Sequence, residues 1–170
     1  MPTIANDLLV DVFIRARDAL VGVVTGLSPE QLTWRPDPQA NPVGWIAWHL
    51  ARVQDDHMAD LGDVEQAWTA DGWFARFGLS YAVAAHGYGH SSEQVGAWHG
   101  DAELLVGYHR DVTDRTLEVV RGMDDAAYGR VVDRRWDPPV TAAVRLVSVV
   151  AEVNQHLGQA AYVKGLLGRA

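Results

Sequence analysis

TAAVRLVSVVAEVNQHLGQAAYVKGLL, from Thr141 to Leu167, is the longest uninterrupted helical pattern in the chain. Thr141 can cap its start, and Gly168 ends it. Val144, Leu146, Val147, Val149 and Val150 leave only Arg145 and Ser148 polar in the first turns. A helix apolar nearly all round is expected to be the central, buried one. Yet Glu152, His156, Gln159 and Val163 recur at i, i+4, i+7 and i+11, so one face of this helix carries an acid, an imidazole and an amide. Leaving them unpaired in an apolar core costs several kcal/mol, so the pattern predicts a common partner.

Three more long helices precede it. Thr3 caps a first one, whose expected inner stripe is Ile4, Leu8, Val12, Ala16, Ala19 and Val23. Ser28-Pro29-Glu30-Gln31 then carries a capping-box pattern for a short extra turn. Asn41 as N-cap with Pro42 behind it starts a second long helix, running to about Leu61. Ser91 and Asp101 offer further caps, and Leu105, Tyr108, Val112, Thr116 and Val119 form the stripe of a third long helix that stops near Gly122. Residues 62–90 interleave glycines with Trp68, Trp73, Phe74, Phe77, Tyr81 and Tyr88, and read as short helical pieces in an irregular aromatic crossover. In the connector 123–140, Arg130-Val131-Val132 and Arg135-Trp136 are the expected extended pair. The prediction is an all-α chain, one domain over residues 1–170, built as a four-helix bundle.

Composition narrows the function classes. The chain has 170 residues, 48% of them apolar, and 14 basic against 22 acidic residues give a net charge of −8. An acidic surplus argues against a nucleic-acid or anionic-membrane partner. No apolar run approaches the ~20 residues needed to span a bilayer, and Met1-Pro2-Thr3 opens no basic secretion signal. A cytoplasmic location is the expectation. There is no cysteine, which removes disulfides, thiolate ligands and a cysteine nucleophile. Any sulfur chemistry would use the substrate's sulfur.

The polar residues out of place define the candidate site. Glu152 and His156, one helical turn apart, put their side chains about 6 Å apart at Cβ. His49, on the second long helix between Trp45 and Val53, can complete a two-histidine, one-carboxylate site for a divalent metal. Zinc, nickel, iron and manganese all suit such ligands. Gln159 and Asp56 are candidates to orient the imidazoles. The plainer alternative is an internal network: a Glu152–His156 pair with His49 stacked among tryptophans. His86-Gly87-Tyr88-Gly89-His90 has ligand-like spacing but reads as a loop. His57 is assigned a supporting role, and His99 and His109 are expected in solvent. Trp45, Trp48 and Trp98 are expected in the core; Trp68, Trp73 and Trp136 are candidates for a pocket mouth. No phosphate-binding glycine loop or nucleophile elbow is present.

Asn41-Pro42-Val43-Gly44-Trp45-Ile46-Ala47-Trp48-His49-Leu50, together with Glu152 through His156-Leu157-Gly158-Gln159, resembles the DinB-like superfamily, and most closely its branch related to actinobacterial mycothiol-dependent enzymes. The resemblance implies a helical bundle holding a metal on three histidines. His49 and His156 fall on two of those positions, and Glu152 stands where the family usually has the third. It further implies thiol chemistry: a metal-dependent S-transferase or isomerase with a mycothiol-like cosubstrate and an electrophilic small molecule as partners, zinc as the first choice of metal, and pairing into a homodimer. Arg52, Trp73 and Tyr88 are the candidates to touch the cosubstrate, with the aromatic loop covering the site. A metal-dependent hydrolase such as an amidase, and a non-catalytic binding or structural bundle, are the alternatives.

Overall fold

The structure is a computed structural model and describes residues 3–168. Helices α1 (Ile4–Val24), α2 (Pro29–Thr33) and α3 (Val43–Gly62) are followed by the short α4 (Ala67–Ala70), α5 (Trp73–Phe77) and α6 (Ser92–Gly96). Then come α7 (Ala102–Gly122), α8 (Asp125–Gly129), strands β1 (Val131–Asp133) and β2 (Val140–Thr141), and α9 (Ala142–Leu167). The four long helices form a bundle in the cyclic order α1, α7, α3, α9. The expected all-α, four-helix architecture with an aromatic crossover is the one observed.

Local chemistry places the ends. Thr3, Ser28, Ser91, Asp101 and Thr141 each accept a backbone N–H of the first turn, as their positions predict. The start of α3 is different. Pro42 itself is the cap, in extended backbone and without a side-chain hydrogen bond, so Asn41 lies one residue outside.

The buried helix is α3, not α9. Nearly every residue from Val43 to Asp55 is enclosed, Arg52, Gln54 and Asp55 included. The crossover 63–91 causes this: α4 and α5 put Trp68, Trp73 and Phe77 into the core. By contrast α9 leaves Val144, Val147 and Tyr162 exposed. The expected stripe on α1 is also corrected. Ile4 and Leu8 are exposed, and the inner face is Asn6, Phe13, Ala16, Leu20 and Val24. Buried Asn6 donates to the carbonyls of Val120 and Met123, satisfying the end of α7. In the connector, β1 pairs antiparallel with β2, Val131 opposite Thr141 and Asp133 opposite Val140. Arg135 and Trp136 lie in the turn between them, where the Asp133 carboxylate accepts the Arg135 backbone N–H.

His109 is buried inside α7 rather than solvated, its Nε2 3.3 Å from Gln54 Oε1. Burial pushes its pKa down from 6.5 to about 4. The unfolded imidazole therefore takes up a proton below pH ~6.5, and the folded one only below ~4. Its contribution to stability is full above that window and falls as pH drops through it, by about 3 kcal/mol at the lower end. Urea unfolding at pH 7, 6 and 5 should show stability dropping more steeply for the native chain than for His109→Gln. Parallel profiles would contradict the assignment.

Candidate metal centre

Antiparallel packing of α3 against α9 assembles the site. His49 comes from the first half of α3, and Glu152 and His156 from the middle of α9. One ligand atom from each lies within 4.8 Å of the other two. Glu152 Oε1 is 3.0 Å from His156 Nε2 and 3.5 Å from His49 Nε2. His49 is buried; the other two are half-buried.

The imidazoles are oriented from behind. The His49 ring lies flat on Trp45, with centroids 4.8 Å apart and planes 9° off parallel. Its Nδ1 faces the backbone carbonyl of His86, which can only accept, so the ring proton sits on Nδ1. Gly87 permits this approach. At φ 98° it holds a conformation that favours glycine, and a Cβ there would lie 2.6 Å from His49 Nδ1 and 2.9 Å from the Trp45 ring. Gln159 Oε1 accepts from His156 Nδ1 at 2.7 Å. Burial pushes the His49 pKa below its ordinary value, against the opposing effect of the His86 carbonyl. With both Nδ1 protons placed, two Nε2 lone pairs and a carboxylate converge on one point. Such a donor set repels itself unless a metal cation lies between its members or a proton on His156 Nε2 bridges to Glu152 Oε1, 3.0 Å away. Two nitrogens and one oxygen at this spacing fit a divalent metal, which His49, Glu152 and His156 would hold.

A cleft of about 550 Å³ begins at His49 and Glu152 and runs along the groove between α3 and α9. Val53, Ser148 and Val149 form its middle, and His57 and Arg135 its far end. Tyr88, 86% exposed, lines its rim.

Two of the three expected cosubstrate contacts lie elsewhere. Arg52 is completely buried: its Nε donates to the Ala85 carbonyl at 3.1 Å and its Nη1 to Gln66 Oε1 at 2.8 Å. Trp73 is buried too, with Nε1 donating to Asp111 at 3.0 Å and Arg76 stacked over its ring. Arg52 follows His49 by one turn and Trp73 belongs to the aromatic loop expected to cover the site, but the crossover encloses the first and packs the second into the core. Trp68 is likewise buried, and Trp136 is exposed away from the cleft. The crossover is packed core, and only its tip, residues 86–90, reaches the site. Asp56 binds Gln66 Nε2 at 2.9 Å instead of orienting His49. The His86 carbonyl, which does orient it, is backbone and carries no residue-type signal. His90 stacks on Trp48 rather than joining the ligands.

Residues 13–160 match the family model of the DinB superfamily. No curated protein sequence matches the chain. Among solved structures, a crystal structure described as the conserved protein of locus from Enterococcus faecalis superposes with a TM-score of 0.90. It shares 24% identity over 100% of this chain and 99% of that one, a likeness of fold. Among the described residues no helix is long and apolar enough to cross a membrane.

Proposed function

The chain belongs to the DinB superfamily, and from that premise we propose that it is a metal-dependent S-transferase or isomerase acting with a low-molecular-weight thiol of the mycothiol kind. The observation that carries the reading is the convergence of His49, Glu152 and His156 at the head of an open cleft. A bound divalent cation, zinc being well suited to two imidazoles and a carboxylate, supplies a Lewis acid that lowers the pKa of a coordinated thiol toward neutrality.

The chain's own residues hold that chemistry in place. Trp45 and the His86 carbonyl fix His49 with Nε2 turned inward, and Gln159 does the same for His156. Glu152 sets one negative charge at the centre, which makes it less electrophilic than an all-histidine set. Val53 and Val149 offer the thiol and its electrophile an apolar wall, and Tyr88 offers an exposed ring at the rim. The chain has no cysteine, so the reacting sulfur comes from the cosubstrate. Thirteen arginines against the single lysine Lys164 suit a high-GC, mycothiol-making host.

Cobalt-loaded protein titrated with a thiol panel tests the reading. At least one thiol is expected to add a sulfur-to-metal absorption band and to displace chloride from a chloro-dinitrobenzene probe faster than free thiol does. If no thiol perturbs the spectrum or is consumed, the reading fails. Hydrolysis of an anilide without thiol would replace it with the amidase alternative.

A further inference from the structure

The cleft has a second polar end. On α9, Arg145, Ser148 and Glu152 share one face at i, i+3 and i+7, which spaces Arg145 from the triad by about 10 Å along the axis. On α3, running the other way, His57 lies eight residues beyond His49, a rise of about 12 Å. The two meet: Arg145 Nη1 donates to His57 Nδ1 at 3.0 Å. That leaves the His57 proton on Nε2, as a neutral donor, and both burial and Arg145 push its pKa down.

Arg135 joins them from the turn between β1 and β2. Its side chain is 85% exposed and that of Arg145 19%, and both reach the same carboxylate, Asp133. Arg135 holds Asp133 at 2.8 and 3.0 Å, while Arg145 stands at 3.4 Å. One carboxylate is thus shared by two guanidiniums, and each keeps most of its five N–H donors uncommitted. His57 and Arg135 line both the triad's cleft and an adjoining one of about 850 Å³, which Arg145 also lines. Asp56, the carboxylate lining this end of the triad's cleft, accepts from Gln66 through Oδ1 while its Oδ2 stands 4.0 Å from His57 Nδ1, and Asp60, Asp63 and Glu65 line the adjoining cleft. Pinning the β-turn to the bundle accounts for the Arg145–Asp133 contact. It does not account for a second, exposed arginine beside it, or for a histidine donor held in the same cleft.

We propose that Arg135, Arg145 and His57 form a distal subsite for an anionic group, of carboxylate type, on an elongated ligand whose other end occupies the His49–Glu152–His156 triad. The inference rests on the triad being a metal site but not on the choice between thiol and water chemistry. Val53, Ser148 and Val149 between the two ends suit an uncharged connecting chain. Selection is then by length and by terminal charge, through paired guanidinium donors.

The test uses zinc-loaded full-length protein and hydroxamates, which chelate metals without any thiol. Calorimetric affinities are compared for suberic acid monohydroxamate, whose eight-carbon chain ends in a carboxylate, for octanohydroxamate, and for the short succinic acid monohydroxamate. The long carboxylate is expected to bind about tenfold tighter than octanohydroxamate, and the short one to gain nothing. Arg135→Gln and Arg145→Gln should each remove most of that advantage while leaving zinc and octanohydroxamate binding unchanged. Equal binding of the two eight-carbon ligands, or full retention of the advantage in Arg135→Gln, overturns the subsite alone. If no hydroxamate binds, the metal reading fails and the subsite with it. Should Arg145→Gln fail to fold by circular dichroism, the exposed Arg135→Gln decides.

Discussion

Arg52→Met is expected to lower the stability of the protein by about 3–5 kcal/mol, the range for removing one partner of a buried ion pair. The guanidinium has no solvent exposure, lies 4.9 Å above the Trp68 ring, and stands 3.5 Å from Asp55. It also donates to Tyr108 Oη at 3.2 Å. Asp55 in turn accepts the backbone N–H groups of Ala67 and Trp68 at 2.9 and 2.8 Å and the Tyr108 hydroxyl at 2.8 Å. It therefore ties the start of α4 to the middle of α3. Methionine preserves much of the arginine stem but leaves that carboxylate without its counter-charge. The Arg52 Nε bond to the Ala85 carbonyl also anchors the chain one residue before His86, so the variant should bind metal more weakly as well. Urea unfolding measures the first effect, and a loss below about 1 kcal/mol, typical of a surface pair, would contradict the account. The double variant Arg52→Met/Asp55→Asn should cost less than the sum of the two singles, because the charge left behind is gone.

Removing a ligand should abolish metal-dependent stabilisation. A ligand present at a hundred times its Kd raises stability by about 2.7 kcal/mol. Loss of a residue that merely orients a ligand weakens metal binding by about 10–100-fold, so loss of a ligand itself should exceed that. In Glu152→Ala and His156→Ala the added metal should then stabilise by less than about 0.5 kcal/mol at the same concentration. Both positions are half-buried, so the metal-free variants should melt close to the metal-free native chain. His49→Ala removes a buried ring from the face of Trp45 and should lower the metal-free melting temperature too. Thermal unfolding with and without zinc separates the two effects. Undiminished zinc stabilisation in Glu152→Ala would show that the carboxylate is not a ligand.

Much of the fold was legible because its signals are local. The caps at Thr3, Ser28, Ser91, Asp101 and Thr141 act within one turn, and the stripe on α7 is unambiguous because Asp114 and Glu118 occupy the opposite face. The stripe on α1 was misread because Ile4, Leu8 and Val12 offer an apolar face as regular as the one built on Phe13, Ala16 and Leu20. Only the partner helices choose between them. The central helix was misassigned for a related reason. Burial of α3 is hidden in sequence by Arg52, Gln54 and Asp55, of which Arg52 and Asp55 pair with each other and with Tyr108, and Gln54 bonds Thr116 and His109 of α7. Val144 and Val147 made α9 look buried when they are exposed.

The triad could be found in sequence because turn spacing on α9 and one displaced histidine on α3 suffice to define it. Its supports could not, since the His86 carbonyl and the Gly87 approach depend on how a glycine-rich loop returns to the bundle. Arg145 did leave a signal: it is one of two polar residues in an otherwise apolar stretch, two turns before Glu152 on the same face.

The most direct test of the metal centre is elemental mass spectrometry on untagged protein, purified without chelator and then equilibrated with zinc, beside Glu152→Ala and His156→Ala. The account predicts close to one metal ion per native chain and almost none in either variant. A native chain that takes up no zinc, nickel, manganese or iron, or variants that keep a full equivalent, would contradict it and leave His49, Glu152 and His156 as an internal hydrogen-bond network.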